Sequence, residues 1–300
     1  MSVTDAADPT TTVLRGFNRT YTQRIGALED SFLGRGRALA SSRLLFEVGP
    51  GTDGVPVASL RERLDLDSGY LSRLLTGLEG EGLLELRPDP ADRRRRRAVL
   101  TPAGREEWAE LDRRSEELAQ RLVDPLTPRQ RDRLAAALAT ADLLVRAATV
   151  RLEERPPDDV RVVEAVTAYV AELDRRFPQG FDTGTGQDVA VDPGGHYLVA
   201  VSDDRTVAVG GVRTLPDLPG EPAAEIKRMW VDPAWRGSGL GSRVLAELES
   251  LAARLGHRRV LLDTNRTLTE ALALYERAGY REVARYNDNP YAEAFFEKRL

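Results

Sequence analysis

Apolar positions recur with helical spacing near both ends of the first half of the chain. One stretch has alternating steps of three and four, which predicts a helix with a narrow apolar stripe: Leu14, Phe17, Tyr21, Ile25, Leu28 and Phe32. A later helix is predicted to begin with a cap at Thr127, Pro128 in its first turn and Gln130 at the reciprocal capping position. Its apolar side continues through Leu134, Leu138, Ala141, Leu144 and Val145. Such stripes need partner helices, so we expect a homodimer formed through this part of the chain; packing within one chain is the alternative.

Residues 56–108, between these helices, change pattern several times. They predict helix, turn, helix, strand, turn, strand and helix, with Asp67 or Ser68 as the cap of the second helix. The leucines of that helix are predicted to face inward. Its outward positions carry residue types that read a DNA groove: Ser68, Tyr70, Ser72, Arg73 and Thr76.

The two predicted strands, "GLLELRP" and "RRAVLTP", form a wing whose turn, "DPADRR", holds Asp92 and Arg94, and five consecutive arginines lie at residues 93–97. Alternation along an extended strand would place these arginines on two sides, with Arg93, Arg95 and Arg97 on one and Arg94 and Arg96 on the other. Arginine suits a narrow minor groove, and Asp92 is expected to hold the guanidinium of Arg94 by a bidentate pair. A solvated turn is the alternative explanation of this charge run.

The second half alternates strand and helix patterns after a charged, proline-containing boundary at residues 149–158. Strands are predicted at residues 196–202, 206–215, 223–231 and 258–264, the first two joined as a hairpin. We therefore place one domain at residues 1–148 and a second at residues 149–300. The second domain is expected to be α+β, a mixed sheet flanked by helices.

Two local details of this half are predicted from spacing. A strict period of two along residues 223–231 places Glu225, Lys227, Met229 and Val231 on one side of the sheet. Thr267 and Glu270 have the spacing of a capping box for a helix that ends at Gly279. The glycine-rich residues 181–188 are interpreted as a loop near an acceptor site.

Composition and charge narrow the chemistry. The 300 residues include no cysteine and two histidines, which argues against disulfides, thiol catalysis and a metal site. No apolar run approaches the roughly 18 residues of a membrane span, and we expect a soluble, cytoplasmic protein without a membrane partner. The formal net charge is −5, so nucleic-acid contact would have to come from the local arginine run.

A glycine-rich turn, "RGSGLG" at residues 236–241, lies between a predicted strand and a predicted helix. Backbone N–H groups and the positive end of a helix bind anions at such turns. No lysine follows the glycines, as a nucleotide-hydrolase loop requires, and Ser242 or Val244 occupies the third-glycine position of a dinucleotide fingerprint. Asp263, about 20 residues on, keeps dinucleotide binding as an alternative.

The second half resembles the GNAT superfamily of N-acetyltransferases from about residue 150 to residue 300. The motifs that carry the resemblance are "VDP", the "RGSGLG" turn, "TNRTLTEALALYERAGYRE" and the closing "FFEKRL". The resemblance implies acetyl-CoA as co-substrate and an amine as acceptor.

Site roles follow from the same resemblance. The turn would hold the pyrophosphate of the coenzyme through its backbone: Arg236, Gly237, Ser238, Gly239, Leu240 and Gly241. A backbone N–H of Trp230 or Val231 would meet the acetyl oxygen, and Asn265 would bond the pantetheine arm. Tyr275 matches the general acid beside the sulfur, and Glu225 matches the base of the histone-acetylating branch. Core packing of Tyr275 and a cross-strand pair of Glu225 with Lys227 or Arg228 are the alternatives.

The first half resembles the MarR family of winged helix-turn-helix regulators from residue 10 to about residue 148. The Asp-x-Arg of the wing, Asp92 and Arg94, and the "LTPAG" after it carry the resemblance. It implies double-stranded DNA as partner.

The fold expected for the chain is a mainly-α winged helix-turn-helix domain followed by an α+β GNAT domain. The expected function is that of a transcriptional regulator fused to an acetyl-CoA-dependent N-acetyltransferase. Two alternatives stay open: a repressor that only senses acetyl-CoA, or an acetyltransferase whose first domain only dimerises.

Overall fold

The computed structural model describes residues 8–181, 194–202, 205–216 and 220–300. The chain divides into two compact units, Met1–Arg133 and Leu134–Leu300. This division falls within a helix. The functional boundary that we expect at residue 149 lies further along the chain, and it stays a prediction.

The first unit is mainly helical and contains a small three-stranded sheet. Its elements are α1 (Pro9–Arg24), α2 (Leu39–Val48), β1 (Val55–Pro56), α3 (Val57–Leu64), α4 (Ser68–Gly80), β2 (Leu84–Pro88), β3 (Arg96–Leu100) and α5 (Pro102–Val123), followed by α6 (Pro128–Thr149), which contains the division. The sheet order is β1-β3-β2, with both pairs antiparallel.

The core of this unit lies under α4, the second helix of the predicted helix-turn-helix. Leu71, Leu75 and Leu78 of α4 are at most 3% exposed and pack with Leu44 and Leu60 of the preceding helices. The Asp67 carboxylate caps α4 by accepting from the Tyr70 N–H at 2.9 Å. The predicted helix, cap and inward leucines are confirmed.

The first helix is shorter than the apolar stripe from Leu14 to Phe32 predicts. α1 ends at Arg24, Gly26 follows with φ +67°, and Phe32 lies in a separate 3₁₀ turn. The left-handed glycine breaks the helical repeat, so the apolar stripe does not continue to Phe32 on one helix. Phe17 and Tyr21 of α1 stack at 5.6 Å and are each 46% exposed.

The predicted cap of α6 is confirmed. The Gln130 side chain accepts from the Thr127 N–H at 2.9 Å, and the Thr127 hydroxyl accepts from the Gln130 N–H at 3.4 Å. Leu138, Leu144 and Val145 on this helix are 41–50% exposed. The exposed apolar side chains of α1 and α6 are compatible with the predicted dimer, which stays a prediction.

The second unit contains a seven-stranded mixed sheet with helices. Its further elements are β4 (Arg151–Arg155), α7 (Val160–Arg176), β5 (His196–Ser202), β6 (Arg205–Leu215), β7 (Ala223–Val231), α8 (Leu240–Arg254), β8 (Arg259–Thr264), α9 (Thr269–Arg277), β9 (Arg281–Glu282) and β10 (Ala294–Arg299). The strand order is β4-β5-β6-β7-β8-β10-β9. Strands β7 and β8 are parallel and the other neighbours are antiparallel. The expected α+β fold class is confirmed.

A β-bulge interrupts β7. Val209 of β6 pairs with Trp230 and Gly211 pairs with Lys227, so Arg228 and Met229 both lie opposite Gly210. Arg228 has φ +56°, a conformation that few non-glycine residues adopt. The extra residue changes which face each later side chain occupies.

The predicted two-residue period along β7 is therefore wrong. Ile226, before the bulge, packs in the same apolar cluster as Met229 and Val231, whereas Trp230 packs in the cluster against α7. Glu225 thus does not share a face with Met229 and Val231.

The predicted capping box of α9 is also wrong. This helix begins at Thr269, and the hydroxyl of Thr267 donates to Asn265 Oδ1 at 2.7 Å instead of capping it. Glu270 forms an ion pair with Arg176 of α7. The predicted end is correct, because Gly279 follows the helix with φ +87°.

The last turn of α6 packs within the second unit. Ala147 is 2% exposed in its apolar cluster, and Arg146 stacks over the Trp235 ring at 4.6 Å. Arg243 of α8 donates to the carbonyl oxygens of Ala147 and Val150, the latter at 3.0 Å. These contacts join the end of α6 and the following Val150 to Trp235 and the start of α8.

Candidate active site and nucleic-acid interface

Strands β7 and β8 separate part-way along their length. They pair only where Ala223–Glu225 meets Arg259–Leu261, and beyond this point each continues without the other. Two cavities lie in the second unit at this opening, one of about 420 Å³ and one of about 100 Å³. They adjoin, because six residues line both: Tyr169, Leu173, Met229, Leu268, Ala271 and Tyr275.

The glycine-rich turn forms one end of the larger cavity. Gly237 and Gly239 have φ +79° and +83°, and α8 begins directly after Gly239. The Ser238 hydroxyl donates to the Trp235 carbonyl at 2.6 Å and accepts from the Leu240 N–H at 3.2 Å, which fixes the turn. Gly241 and Ser242, which line the cavity, stand in the first helical turn, where N–H groups have no acceptor within the helix. This end of the cavity can bind an anion through backbone groups.

Arg236 of this turn is already paired. Its Nη2 lies 2.5 and 2.7 Å from the two carboxylate oxygens of Glu172, and its Nε donates to the Val231 carbonyl at 3.2 Å. Glu172 also accepts from Trp230 Nε1 at 2.9 Å. Burial acts to raise the pKa of Glu172, but these hydrogen bonds outweigh it and hold the pKa below its usual range. Arg236 anchors the turn to α7, and any anion would be held mainly by the backbone.

Two other arginines line the larger cavity. Arg176 is paired with Glu270 and lies 3.3 Å from Glu172. Arg277, at the end of α9, is exposed and makes no ion pair within the described part of the chain. It is a cation available to a ligand at the rim of the cavity.

Tyr275 lies at the junction of the two cavities. It projects from α9, is 7% exposed, and packs against Tyr280 and Phe296 with ring centroids 5.8 and 6.0 Å away. Burial raises the pKa of Tyr275 well above its ordinary value, so the hydroxyl stays protonated at neutral pH. A protonated hydroxyl at this place can donate a proton to a group bound in either cavity.

The structure places Glu225 in a buried network. Its side chain is fully buried and accepts from Arg213 Nε at 2.6 Å, Tyr286 Oη at 2.8 Å and Asn287 Nδ2 at 3.1 Å, with Lys227 Nζ at 3.5 Å. It is absent from the described side chains that line the two cavities. The cross-strand pair with Arg213 was missed by sequence reasoning, since the register that joins β6 to β7 cannot be read from composition.

Asn265 lines the smaller cavity, but its side chain is engaged. Its Nδ2 donates to the Tyr291 carbonyl at 2.9 Å, and its Oδ1 accepts from the Thr267 N–H at 2.9 Å. Trp230 and Val231 are paired with β6 after the bulge, so the break in the ladder falls on Arg228 and Met229.

Asp263 has a place that the sequence reasoning did not assign to it. Its carboxylate lines the smaller cavity and accepts from Asn287 Nδ2 at 3.1 Å and Asn289 Nδ2 at 2.5 Å, with Lys227 Nζ at 3.4 Å. It follows the last apolar residues of β8, a position where a polar side chain signals a site. The loop predicted at residues 181–188 lies outside the described residues from residue 182 onward.

In the first unit, the residues predicted to read a groove lie on the outer side of α4. Ser68, Ser72, Arg73 and Thr76 are exposed, and Tyr70 is half-buried with the Arg73 guanidinium 5.7 Å from its ring centre. The outward face of α4 has the predicted composition; its contact with DNA stays a prediction.

The wing differs from its prediction. β3 begins only at Arg96, so Arg93, Arg94 and Arg95 lie in the turn and do not alternate along a strand. Asp92 accepts from the Arg94 backbone N–H at 3.0 Å and pairs with Arg95 Nε at 3.3 Å, so the predicted bidentate pair with the Arg94 guanidinium is wrong. A short turn lets the carboxylate reach the backbone two residues on more easily than the long side chain.

The arginines of the run divide into two kinds. Arg97 donates to the carbonyls of Asp53 and Gly54 at 2.8 and 2.7 Å and pairs with Asp89 at 3.1 Å. Among the described residues, Arg93, Arg94 and Arg96 make no side-chain hydrogen bond or ion pair, and all three are exposed. Three cations of the wing are therefore available to a polyanion.

Comparison with known families agrees with both geometries. A model of the acetyltransferase (GNAT) family matches residues 163–280, and a model of the MarR family matches residues 36–95. The chain belongs to the GNAT family and carries a MarR-family region. Both expected resemblances are confirmed.

Relatives of this GNAT chain include several bacterial and fungal proteins. An uncharacterized N-acetyltransferase of Schizosaccharomyces pombe is 36% identical over 33% of this chain and 59% of its own length. The uncharacterized N-acetyltransferase YjgM of Escherichia coli is 32% identical over 30% of this chain and 54% of its own length. The chain thus spans little more than half the length of these two relatives. The N-alpha-acetyltransferase RimI of Mycobacterium tuberculosis is 34% identical over 36% of this chain and 67% of its own length.

Solved structures similar to each half are also known. A GNAT-family acetyltransferase from Staphylococcus aureus Mu50 is 16% identical, with a TM-score of 0.43, over 51% of this chain and 99% of its own. A MarR-family transcriptional regulator from Rhodococcus sp. RHA1 is 18% identical, with a TM-score of 0.38, over 45% of this chain and 97% of its own.

The described residues contain no group of three or more acidic or histidine side chains placed to hold a metal ion. None of the helices in the described ranges has the length and apolar content to cross a membrane.

Proposed function

We propose that the chain is a DNA-binding regulator whose second unit transfers an acetyl group from acetyl-CoA directly to an amine. The observation that carries the proposal is the opening between β7 and β8, which has the glycine-rich turn at one end and Tyr275 between two cavities. The larger cavity would take the coenzyme, with its pyrophosphate on the first-turn N–H groups of α8 and Arg277 near a further phosphate. The smaller cavity would take the acceptor.

The reaction needs one bond to form and one to break. The neutral amine nitrogen attacks the thioester carbonyl carbon, the C–S bond breaks, and the ammonium proton leaves to solvent. Tyr275 would donate its hydroxyl proton to the departing thiolate and regain one from solvent, because it is protonated at neutral pH and lies where the two cavities meet. A backbone N–H near the bulge, at Trp230 or Val231 as the resemblance implies or at the displaced Met229, would stabilise the carbonyl oxygen as it gains charge.

The surroundings of Glu225 bear on its role as proton acceptor. Glu225 is the base implied by the resemblance, but its carboxylate is surrounded by Arg213, Lys227 and Tyr286. We therefore favour attack by an amine that is already neutral. A Glu225→Gln variant with an unaltered pH profile of kcat/KM would support this preference, and a flattened basic limb would restore Glu225 as base.

The first unit would bind double-stranded DNA as a homodimer. The outer residues of α4 would enter the major groove, and the wing cations Arg94 and Arg96 would meet the phosphates and the minor groove. The exposed stripe of α1, with Phe17 and Tyr21, would form part of the dimer contact.

Two measurements on the full chain test the function. Calorimetry with acetyl-CoA, followed by a thiol-release assay over a panel of amines, is expected to show both binding and turnover. Binding without turnover on any amine would instead identify a sensor. An electrophoretic shift with selected DNA at several salt concentrations is expected to show a steep salt dependence; no shift would leave the first unit as a dimerisation module.

A further inference from the structure

The smaller cavity has an aromatic wall. Phe177, at the end of α7, Phe181 and Tyr291 line it and contact one another, with ring centroids 4.7–6.0 Å apart. Phe177 is 8% exposed. Three mutually packed rings present an apolar surface to a ligand in the cavity. A strongly hydrated group would give up its water there without gaining hydrogen bonds from the rings, so an apolar group binds more favourably.

The charges around this cavity are few. Of the described residues that line it, Lys227, Arg228 and Asp263 are charged, so cations outnumber anions by one. The Asp263 carboxylate is 7% exposed and is held in place by the amides of Asn287 and Asn289. Asp263 is the one carboxylate of the described lining, so a single amine would share it with Lys227 Nζ, 3.4 Å away, whereas each further charge of a polycation would meet only the positive charges of the wall.

The size of the cavity adds a limit. A volume of about 100 Å³ is smaller than an engineered cavity of roughly 150 Å³ that holds one benzene ring, so this space takes no more than one ring-sized group. A sugar chain or a peptide could place no more than one group inside it.

We propose that the acceptor is a compact monoamine with an apolar, ring-sized body. The body packs on Phe177, Phe181 and Tyr291, and the amine lies between Asp263 and the Tyr275 end of the cavity. This inference rests on the proposed acetyl transfer, for which it names the substrate class. Polyamines and aminoglycosides, with several positive charges and hydrated bodies, are poor acceptors.

The test compares three amines on the full chain with acetyl-CoA present. Phenethylamine is the apolar monoamine, 1,6-diaminohexane is a diamine of similar length, and kanamycin is the aminoglycoside. Thiol release gives kcat and KM, and calorimetry with CoA present gives amine binding without turnover. We expect kcat/KM for phenethylamine to exceed that for each of the others at least tenfold.

Variants at Phe181 connect the preference to the wall. Phe181→Ala should raise the KM for phenethylamine about tenfold with kcat largely kept, because one face of the ring-binding surface is lost. Phe181→Tyr retains the ring and should restore KM to within about threefold. Leu255→Ala, which removes a 40% exposed apolar side chain elsewhere in this unit, is the control and should behave as the parent.

The possible outcomes distinguish a failure of the monoamine proposal from a failure of the proposed acetyl transfer. A tenfold preference for the diamine or kanamycin, or a Phe181→Ala variant with the parent KM, overturns the monoamine class. Absence of acetyl-CoA binding or of all turnover overturns the acetyl transfer. Even then, calorimetric binding of phenethylamine that Phe181→Ala abolishes supports the apolar amine site, and no binding to the parent rejects it.

Discussion

The two units offer different groups to a phosphate. In the first unit, the wing presents the side chains of Arg93, Arg94 and Arg96 without a partner among the described residues. In the second unit, the arginine of the glycine-rich turn, Arg236, is bound to Glu172, and the turn presents backbone N–H groups at the start of α8.

This difference predicts how each unit would respond to change. Side-chain cations on flexible stems tolerate many phosphate positions, release counterions and make binding steeply dependent on salt. Backbone groups in a turn with fixed φ angles fit one phosphate geometry and depend on the shape of the turn more than on charge. The wing should therefore be sensitive to charge, and the turn to added atoms.

The largest effect is expected from Gly239→Val. A side chain would cover the N–H groups that we expect to hold the pyrophosphate, and losing two charge-assisted hydrogen bonds, roughly 1.5–3 kcal/mol each, would weaken acetyl-CoA about 10³-fold. Isothermal titration calorimetry measures this loss.

Backbone strain must be separated from this effect, because Gly239 has φ +83° and any L-residue there is unfavourable by about 1–2 kcal/mol. Gly256, at the opposite end of α8, has φ +91° and the same open surroundings. Gly256→Val is thus a control with equal strain, which should lose a similar amount of stability but keep coenzyme affinity. Equal coenzyme affinities in the two variants would contradict the assignment of the turn.

The next largest effect is expected at Tyr275. Tyr275→Phe removes a hydroxyl whose pKa is raised by burial, and it should lower turnover about 10²-fold with little change in acetyl-CoA affinity. Single-turnover rates at pH 6–9 would check it. Full turnover in this variant, under conditions where chemistry limits the rate, would leave Tyr275 with a packing role alone.

Effects of about tenfold are expected in the first unit. Arg94→Ala should reduce the slope of log affinity against log salt by about 0.9 for any DNA sequence, since one phosphate contact is lost. Arg73→Ala should instead lower the preference for a selected site over random DNA. Salt titrations by fluorescence anisotropy would distinguish the two, with Arg19→Ala, an equal charge change on α1, as control. If both variants bind DNA as the parent does, the proposed roles of α4 and the wing in DNA recognition are contradicted.

The smallest effect concerns Glu172, whose pKa is held below its usual value of 4.5. A carboxyl group with a lowered pKa in the folded state stabilises the fold above the unfolded pKa, and this contribution disappears as the pH falls through the folded pKa. Glu172→Gln should lower Tm at pH 7 by about 2–4 °C for each kcal/mol lost. The difference from the parent should shrink below about pH 4.5. Glu164→Gln, an exposed change on the same helix, should show neither effect; a difference for Glu172→Gln that does not decrease as the pH falls below about 4.5 would contradict the ion-pair explanation.

The sequence predicted well those features that depend on neighbouring residues. The cap at Asp67, the reciprocal cap of Thr127 with Gln130 and the glycine turn before α8 are local patterns, and each is present. The strands of the second unit were predicted because their apolar runs are long. Both family memberships followed from motifs of this local kind.

Some errors were local, such as the capping box of α9 and the pair of Asp92 with Arg94, and the others arose where distant parts of the chain meet. The bulge at Arg228 and Met229 depends on pairing with β6, and no residue type within β7 indicates where it lies. Arg213 opposite Glu225, and Asp263 beside Asn287 and Asn289, come together only through strand register and a later loop. The aromatic wall was likewise not predictable, since Phe181 and Tyr291 are 110 positions apart in sequence and meet with centroids 4.7 Å apart.

The contacts made by the end of α6 determine where the chain can be divided into fragments. A fragment that starts at residue 149 would lack Ala147 and Arg146, so it would uncover the Trp235 ring and leave Arg243 short of one of its two carbonyl acceptors. Trp235 is followed directly by the turn expected to hold the coenzyme. The acetyltransferase would therefore be damaged by division at its apparent sequence boundary, and a fragment from residue 134 would retain these contacts. If the two halves were encoded by separate genes, the gene for the catalytic half would have to include the end of α6.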